Sequence, residues 1–221
     1  MLIKTNGHRF FKQITLSYKS LEEDVIKKSN DCEYEGDLIC VSSFKKDDVP
    51  HGYGKLFNKE IHLSYKGDWK LGKFHGFGIL VTVDKLYEGY FINGMRNGYG
   101  TLTLIAYGSK YVGEWCNNLR QGHGLTILSD MKIITLWDED EPLYNEVYYN
   151  NGTIYFGKCH LNGMRNGFGI LYFKNKDYIS GFWENNKLNG PGYIYKYTSD
   201  CAIFHEWLND YPIKFVKTYH Y

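Results

Sequence analysis

A short pattern of aromatic and glycine residues recurs along this chain at a nearly fixed interval. An aromatic residue is followed two positions later by glycine, and these glycines are 22 residues apart between Gly67 and Gly89 and 24 apart between Gly89 and Gly113. Each copy continues into a Gly-x-Gly element and a large apolar residue, as in YKGDWKLGKFHGFGIL at 65–80 and YEGYFINGMRNGYGTL at 87–102. A period of this length indicates a repeat protein in which every copy is one supersecondary element.

The copies define the predicted domain organisation. Six clear copies begin at the segments Tyr34–Gly36, Tyr65–Gly67, Tyr87–Gly89, Tyr111–Gly113, Tyr155–Gly157 and Ile179–Gly181. A degenerate copy at 131–150 has Thr135 in place of the glycine, and half a copy is visible at 203–207. We therefore predict an N-terminal extension at 1–33 with an edge strand and a short helix, a repeat array at 34–197, and a partial repeat or cap at 198–221.

Each copy is predicted to form a β-hairpin. Tyr87, Gly89 and Phe91 alternate along the chain and therefore share one face of a strand, the segment 92–97 connects, and 98–102 returns as the second strand. A single hairpin is marginally stable, but hairpins in series pair every strand with its neighbours. Aromatic rings can then lie over glycines, which lack a β-carbon. The predicted fold class is all-β, an array of consecutive antiparallel hairpins in one twisted sheet.

Composition agrees with this prediction and restricts the function. Aromatic residues make up 18% of the chain and there are 24 glycines, a combination that favours strands and tight turns. The 26 basic and 25 acidic residues nearly balance, which disfavours nucleic-acid binding through net charge. No signal-peptide core or 18-residue apolar stretch is found, and the five cysteines lack CxxC spacing. We expect a cytoplasmic protein with reduced thiols.

No motif in the sequence supports catalysis or a cofactor. The acidic run 138–141 lacks the spacing of a calcium loop and is interpreted as a solvated turn. His51, His75 and His123 recur with the repeat and are interpreted as structural. The Gly-x-Gly elements lack the residues of a Walker or dinucleotide-binding motif. We expect neither a metal nor a cofactor, and no enzymatic activity.

The repeat resembles the MORN repeat, whose core reads roughly YxGxWxxGxxxGxG, and the resemblance covers about 34–197. It implies an elongated, curved sheet with an aromatic groove that accepts a peptide or helix of a partner protein. Catalytic domains accompany MORN repeats in some proteins, but the flanks here, about 33 and about 24 residues, are too short for one. The predicted groove consists of Tyr65, Trp69, Tyr87, Phe91, Tyr111, Trp115 and Trp183. The competing interpretation is that these rings pack only on the glycines of the array.

A second hypothesis follows from the association of MORN proteins with anionic lipids and the cortical cytoskeleton. It assigns lipid binding to a group of lysines in the first repeats, Lys45, Lys46, Lys59, Lys66, Lys70 and Lys73. It places the protein at the membrane cortex or cytoskeleton. Neighbouring acidic residues dilute this positive charge. Base stacking on the aromatic rings is a third, disfavoured alternative because a basic groove is missing, and homo-oligomer formation is left open.

Overall fold

The computed structural model describes residues 11–13, 32–40 and 48–220, which divide into two compact units, 1–121 and 122–221. The N-terminal unit contains β1 (Phe11–Gln13), β2 (Cys32–Cys40), β3 (Asp48–Asn58), β4 (Leu63–Lys70), β5 (Lys73–Val81), β6 (Lys85–Ile92), β7 (Met95–Leu104) and β8 (Ser109–Cys116). The boundary between the units falls within β9 (Leu119–Ile127).

The C-terminal unit continues with strands of similar length. They are β10 (Met131–Asp138), β11 (Glu141–Tyr149), β12 (Ile154–Cys159), β13 (Arg165–Tyr172), β14 (Tyr178–Glu184), β15 (Lys187–Lys196), β16 (Cys201–Leu208) and β17 (Tyr211–His220). A single 3-10 turn, Tyr197–Ser199, joins β15 to β16. The half copy seen in the sequence at 203–207 thus belongs to a complete hairpin.

Within each unit every strand from β2 onward pairs antiparallel with its successor. This holds from β2 to β8 in the N-terminal unit and from β9 to β17 in the C-terminal unit. The prediction of an all-β array of consecutive antiparallel hairpins is confirmed. In addition, β1 pairs with β2, with Phe11 opposite Glu35. The helix predicted between residues 20 and 30 lies outside the described residues.

Most of the described connections inside the repeats are two-residue turns in which both residues have positive φ. Asn93 and Gly94 have φ values of 53° and 89°, and Asn117 and Asn118 have φ values of 49° and 72°. Such turns match the right-handed twist of the paired strands. The connection predicted at 92–97 is therefore shorter than expected, because β7 already begins at Met95.

The two glycines of each Gly-x-Gly element have different roles. The first lies in a β-bulge, where the backbone takes a left-handed conformation that suits glycine, as at Gly76 with φ 59°. The second lies opposite a glycine on each neighbouring strand, as Gly78 of β5 does with Gly67 of β4 and Gly89 of β6. The sequence interpretation, which treated the glycines alike as space for rings, is therefore correct for the second glycine and wrong for the first.

The strands bury one face and leave the other accessible. On β4, Leu63, Tyr65, Gly67 and Trp69 are buried, whereas the alternate side chains are half-buried or exposed. We call the buried side the core face and the other the opposite face. In the C-terminal unit the core face is filled by a cluster of apolar residues, namely Ile133, Val147, Tyr155, Leu171, Trp183, Leu188 and Trp207.

Candidate partner-binding surfaces

The repeat tyrosines lie flat over paired glycines on the core face. A methyl group added at Gly78 would come within 2.6 Å of two ring carbons of Tyr65. The Tyr65 hydroxyl donates a hydrogen bond of 2.8 Å to the backbone carbonyl of Asp68, three residues further along the same strand. The same bond recurs at Tyr34, Tyr87, Tyr111 and Tyr155. Each ring is thus held at both ends, over the glycines and by its hydroxyl.

Four of the five tryptophans connect a hairpin to the one before it. The indole Nε1–H of Trp69 donates a hydrogen bond of 3.2 Å to the carbonyl oxygen of Gly54 in the preceding repeat. Equivalent bonds join Trp115 to Gly100, Trp183 to Gly169 and Trp207 to Gly192. Trp69 also makes edge contacts with Tyr34 and Tyr65, whose ring centroids lie 5.3 and 5.1 Å away. Edge contacts through Phe91, Tyr87 and Trp115 continue this series to Tyr111, and we call these rings of the N-terminal unit the ladder.

Arginine side chains cover two of these tryptophans, a contact that the sequence analysis missed. The Arg96 guanidinium lies 4.3 Å from the Trp115 ring centroid, and the Arg165 guanidinium lies 4.2 Å from that of Trp183. Arg96 also donates to the backbone carbonyl of Asn118 in the next turn. The recurring string GMRNG was the available signal, since the arginine precedes the Gly-x-Gly element in both places. Burial lowers the pKa of Arg165.

All seven residues of the predicted groove are buried: six belong to this ladder, and Trp183 lies in the core cluster of the C-terminal unit. Their exposed fractions range from 1% to 6%. Burial is also the main cause of the raised pKa values of Tyr65 and Tyr87. In the described structure these rings contact one another and the repeat glycines, so the structure contains the packing that the competing interpretation required. Direct contact between a partner and these rings stays a prediction.

The structure describes four of the six predicted lipid-binding lysines. Lys59 forms an ion pair of 2.8 Å with Glu33. Lys66 and Lys70 lie on the opposite face of β4, and Lys70 pairs with Lys73 beside the turn that joins β4 to β5. Lys45 and Lys46 are outside the described residues. The lipid-binding assignment therefore stays a prediction as well.

Cross-strand pairs with exposed aromatic side chains line the opposite face at equivalent positions of successive repeats. In register across neighbouring strands are Tyr53 with Asp68, Phe77 with Tyr90, and Tyr99 with Glu114. We call these six residues the outer row. Its four aromatic side chains are 45% to 65% exposed. The sequence analysis missed them because it treated the middle residue of Gly-x-Gly as a spacer, although that residue is aromatic at 53, 77, 99 and 168.

Carboxylates of the outer row are fixed by hydrogen bonds to the same row. Asp68 accepts a bond of 3.1 Å from the Phe77 backbone N–H, and Glu114 accepts one of 3.1 Å from the Tyr99 hydroxyl. The bond to Glu114 is also the main reason why the pKa of Tyr99 is raised. Within residues 48–220, neither carboxylate takes part in an ion pair.

The family model of the MORN repeat matches six segments of this chain, which are 44–58, 65–85, 87–105, 111–130, 161–178 and 180–199. These segments make up about half of the sequence. The chain belongs to the MORN-repeat family. Each matched segment contains one of the six Gly-x-Gly elements that follow the clear copies of the repeat.

Curated relatives share the repeat but are longer proteins. Alsin from Homo sapiens is 31% identical over 180 residues, a match that covers 65% of this chain and 11% of Alsin. Alsin from Rattus norvegicus is 31% identical over 176 residues, covering 63% and 10%. MORN repeat-containing protein 3 from Xenopus laevis is 34% identical over 79 residues, covering 33% of this chain and 30% of that protein. The chain thus spans about a tenth of the length of the Alsin relatives.

The MORN-repeat model leaves the degenerate copy at 131–150 unmatched, yet β10 and β11 form a hairpin there in the usual register. Thr135 and Asn145 occupy the paired glycine positions, both are buried, and the Thr135 hydroxyl donates a 2.8 Å hydrogen bond to Asn145 Oδ1. Ile133 replaces the tyrosine whose ring would need that space. The acidic run 138–141 contains the turn residues Glu139 and Asp140, with φ of 48° and 69°.

The histidines and cysteines considered in the sequence analysis show no arrangement typical of a metal site among the described residues. The His51 ring nitrogen accepts a long hydrogen bond of 3.4 Å from the Leu71 backbone N–H. Burial raises the pKa of Cys159 to about 11, so this thiol is a weak nucleophile at neutral pH. Across the described part of the chain, acidic, histidine and cysteine side chains nowhere gather in groups of three that could hold a metal ion. The same residues include no helix of the length and hydrophobicity needed to cross a membrane.

Proposed function

We propose that this MORN-repeat chain is a non-catalytic scaffold that binds a segment of a partner protein. The observation that carries the proposal is the outer row, in which four exposed aromatic side chains follow one another across β3 to β7. Tyrosine is enriched among the residues that dominate protein interfaces, and contiguous exposed apolar surface is uncommon on isolated proteins. A similar exposed pair, Phe168 and Phe182, has ring centroids 5.5 Å apart in the C-terminal unit.

The buried ladder supports this role from the core face. Because its rings and glycines fix the strands, the outer row is displayed on a rigid sheet rather than on a flexible loop. A rigid surface loses little conformational entropy when a partner binds. The seven groove residues predicted from the sequence contribute to this function by stabilising the sheet. Direct contact between a partner and their rings would require part of the core packing to open.

A photo-cross-linking experiment tests the proposal. p-Benzoylphenylalanine is placed at Tyr99 in one variant and at Tyr107 in the control, since Tyr107 is 82% exposed but lies in the turn between β7 and β8. After irradiation in cells, we expect a discrete adduct from position 99 and none from position 107. The adduct should disappear when Tyr90→Ala is added. Equal labelling at the two positions, or no adduct at position 99, would contradict the proposal.

Anionic-lipid binding is the second candidate, and the exposed cross-strand neighbours Lys70 and Lys73 are the observation that favours it. Flotation with phosphatidylserine vesicles, with and without phosphoinositide, tests this function directly. Binding should require acidic lipid and should be lost in Lys70→Glu/Lys73→Glu. Flotation that is independent of lipid charge would exclude it.

A further inference from the structure

We infer that the outer row is a docking site for a protein segment that carries two basic side chains, preferably arginines, on either side of an apolar one. The inference rests on the proposed function and names the chemistry of the partner. Its basis is the order of the three cross-strand pairs: aromatic with carboxylate, aromatic with aromatic, and again aromatic with carboxylate.

Each outer pair has the groups that bind a guanidinium. At one end, the exposed Tyr99 ring lies beside Glu114, whose Oε1 already accepts a hydrogen bond from the Tyr99 hydroxyl. A guanidinium stacked on the ring could use its planar set of N–H donors for the carboxylate. At the other end, Tyr53 and Asp68 are in register in the same way, and Asp68 is fixed through Oδ2 by the Phe77 backbone N–H.

The middle pair has no charge and suits an apolar side chain. The rings of Phe77 and Tyr90 make an edge contact with centroids 5.6 Å apart. Tyr90 also covers Gly98, where an added β-carbon would lie 3.5 Å from the Tyr90 β-carbon. Both rings are about half exposed. An apolar side chain placed between two basic ones would therefore find its own contact surface.

The spacing of the strands sets the spacing of the basic side chains. The two carboxylate-bearing strands, β4 and β8, are four strands apart, which corresponds to about 19 Å at the usual inter-strand distance. An extended segment covers this distance in about six residues at roughly 3.3 Å per residue. The preferred segment is therefore extended, with basic residues about six positions apart.

The two carboxylates are not expected to contribute equally. Along β4, Lys66 and Lys70 lie two positions on either side of Asp68 on the same face, so they offset part of its charge. Along β8 the corresponding neighbours of Glu114 are Val112 and Cys116, neither of which is a basic residue. Glu114 should therefore be the stronger determinant of binding.

Selection from a displayed library of random 15-residue peptides tests the inference. The targets are the wild-type chain, Glu114→Gln, Asp68→Asn and Tyr99→Ala, with Glu88→Gln as the matched control. Gln and Asn keep the acceptor oxygens that hold the outer row, and Glu88 is an exposed carboxylate on the opposite face of β6 outside the row. Thermal melting of each variant confirms that it is folded.

We expect wild-type selection to enrich peptides with two arginines or lysines about six positions apart. Anisotropy measurements on an enriched peptide should show an affinity loss of about fivefold for Glu114→Gln, as for an exposed charge pair, and a smaller loss for Asp68→Asn. Glu88→Gln should bind like wild type. A citrulline-for-arginine peptide should bind more weakly, and added salt should reduce binding.

Several outcomes would overturn the inference. Enriched peptides without basic residues, or equal binding to wild type and Glu114→Gln, would refute it. If such peptides still lose affinity for Tyr99→Ala, the proposed scaffold function would stand and only the basic-segment inference would fail. An unenriched library, or phosphatidylserine vesicles that bind through the outer row instead, would also refute it.

Discussion

Replacing Gly100 with alanine tests the packing of the repeat at one atom. The added methyl group would lie 2.5 Å from Cζ and 2.7 Å from Cε2 of the Tyr87 ring, so the ring must leave its place over the glycine pair. Losing a buried ring costs about 1.5–3 kcal/mol, and losing the Tyr87 hydroxyl bond to the Tyr90 carbonyl costs about 1 kcal/mol. The gain from replacing glycine in a strand is about 0.5–1 kcal/mol. The expected net loss is about 3 kcal/mol.

Gly192 provides the matched control because it occupies the same repeat position. The residue corresponding to Tyr87 in that repeat is Ile179, and the closest atom to an added β-carbon is the Ser180 carbonyl oxygen at 2.9 Å. This contact requires only a small backbone adjustment, so Gly192→Ala should cost about 1 kcal/mol. The difference between the two variants, about 2 kcal/mol, is the contribution of the tyrosine ring.

A double-mutant cycle separates the ring from other effects of the methyl group. Tyr87→Ile copies the combination of Ile179 with Gly192, so Gly100→Ala should cost less than about 1 kcal/mol in that background. The free energy of unfolding is measured by urea denaturation, followed by tryptophan fluorescence and circular dichroism. A loss of about 3 kcal/mol should lower Tm by about 6–12 °C in a chain of this size. Equal losses at Gly100 and Gly192, or an additive cycle, would refute the reasoning.

Three further predictions concern the turn, the degenerate repeat and pH. Leu71→Asn should raise the free energy of unfolding by about 1 kcal/mol, because Leu71 is exposed and has φ of 50°, which asparagine adopts at lower cost; an unchanged urea midpoint would contradict this. Thr135→Val should cost about 1–3 kcal/mol, because the buried Asn145 loses its donor; Thr135→Ser, which keeps the hydroxyl, should cost less in the same denaturation assay. Burial raises the pKa of Tyr87 and Tyr155 above 10 in the folded chain, so the stability they confer is complete below pH 10 and is lost above it, by about 1.4 kcal/mol per tyrosine and pH unit. Melting at pH 9 and pH 11 checks the sign, and a Tm that does not fall would contradict it.

The hairpin array could be predicted because the sequence repeats at a fixed period. Alternation of Tyr87, Gly89 and Phe91 assigns three side chains to one face, and the strand β6 has that face buried. Alternation does not show how much of a strand face is covered by other side chains, so the burial of the groove rings could not be predicted from the sequence. The cover comes from neighbouring hairpins and from Arg96, which is distant from Trp115 in sequence but stacks on its ring.

The outer row was harder to predict for a related reason. Tyr53 and Tyr99 each lie between two glycines. No alternating pattern within their own strands shows that they belong to an exposed row. Their neighbours are Asp68 and Glu114, which lie on the next strand in each case and become adjacent only when the register is known. The register in turn depends on the β-bulge at the first glycine of each Gly-x-Gly element, where one strand has an extra residue relative to its partner strand.

The hydrogen bond from four of the five tryptophans to the glycine carbonyl of the preceding repeat gives those repeats a direction. Trp69 completes the hairpin that contains Gly54, and Trp207 does the same for the one that contains Gly192. During synthesis on the ribosome, a newly emerged hairpin therefore lacks its closing contact until about fifteen more residues have left the exit tunnel. Folding is then expected to advance from the N-terminus as a moving front, one hairpin behind translation.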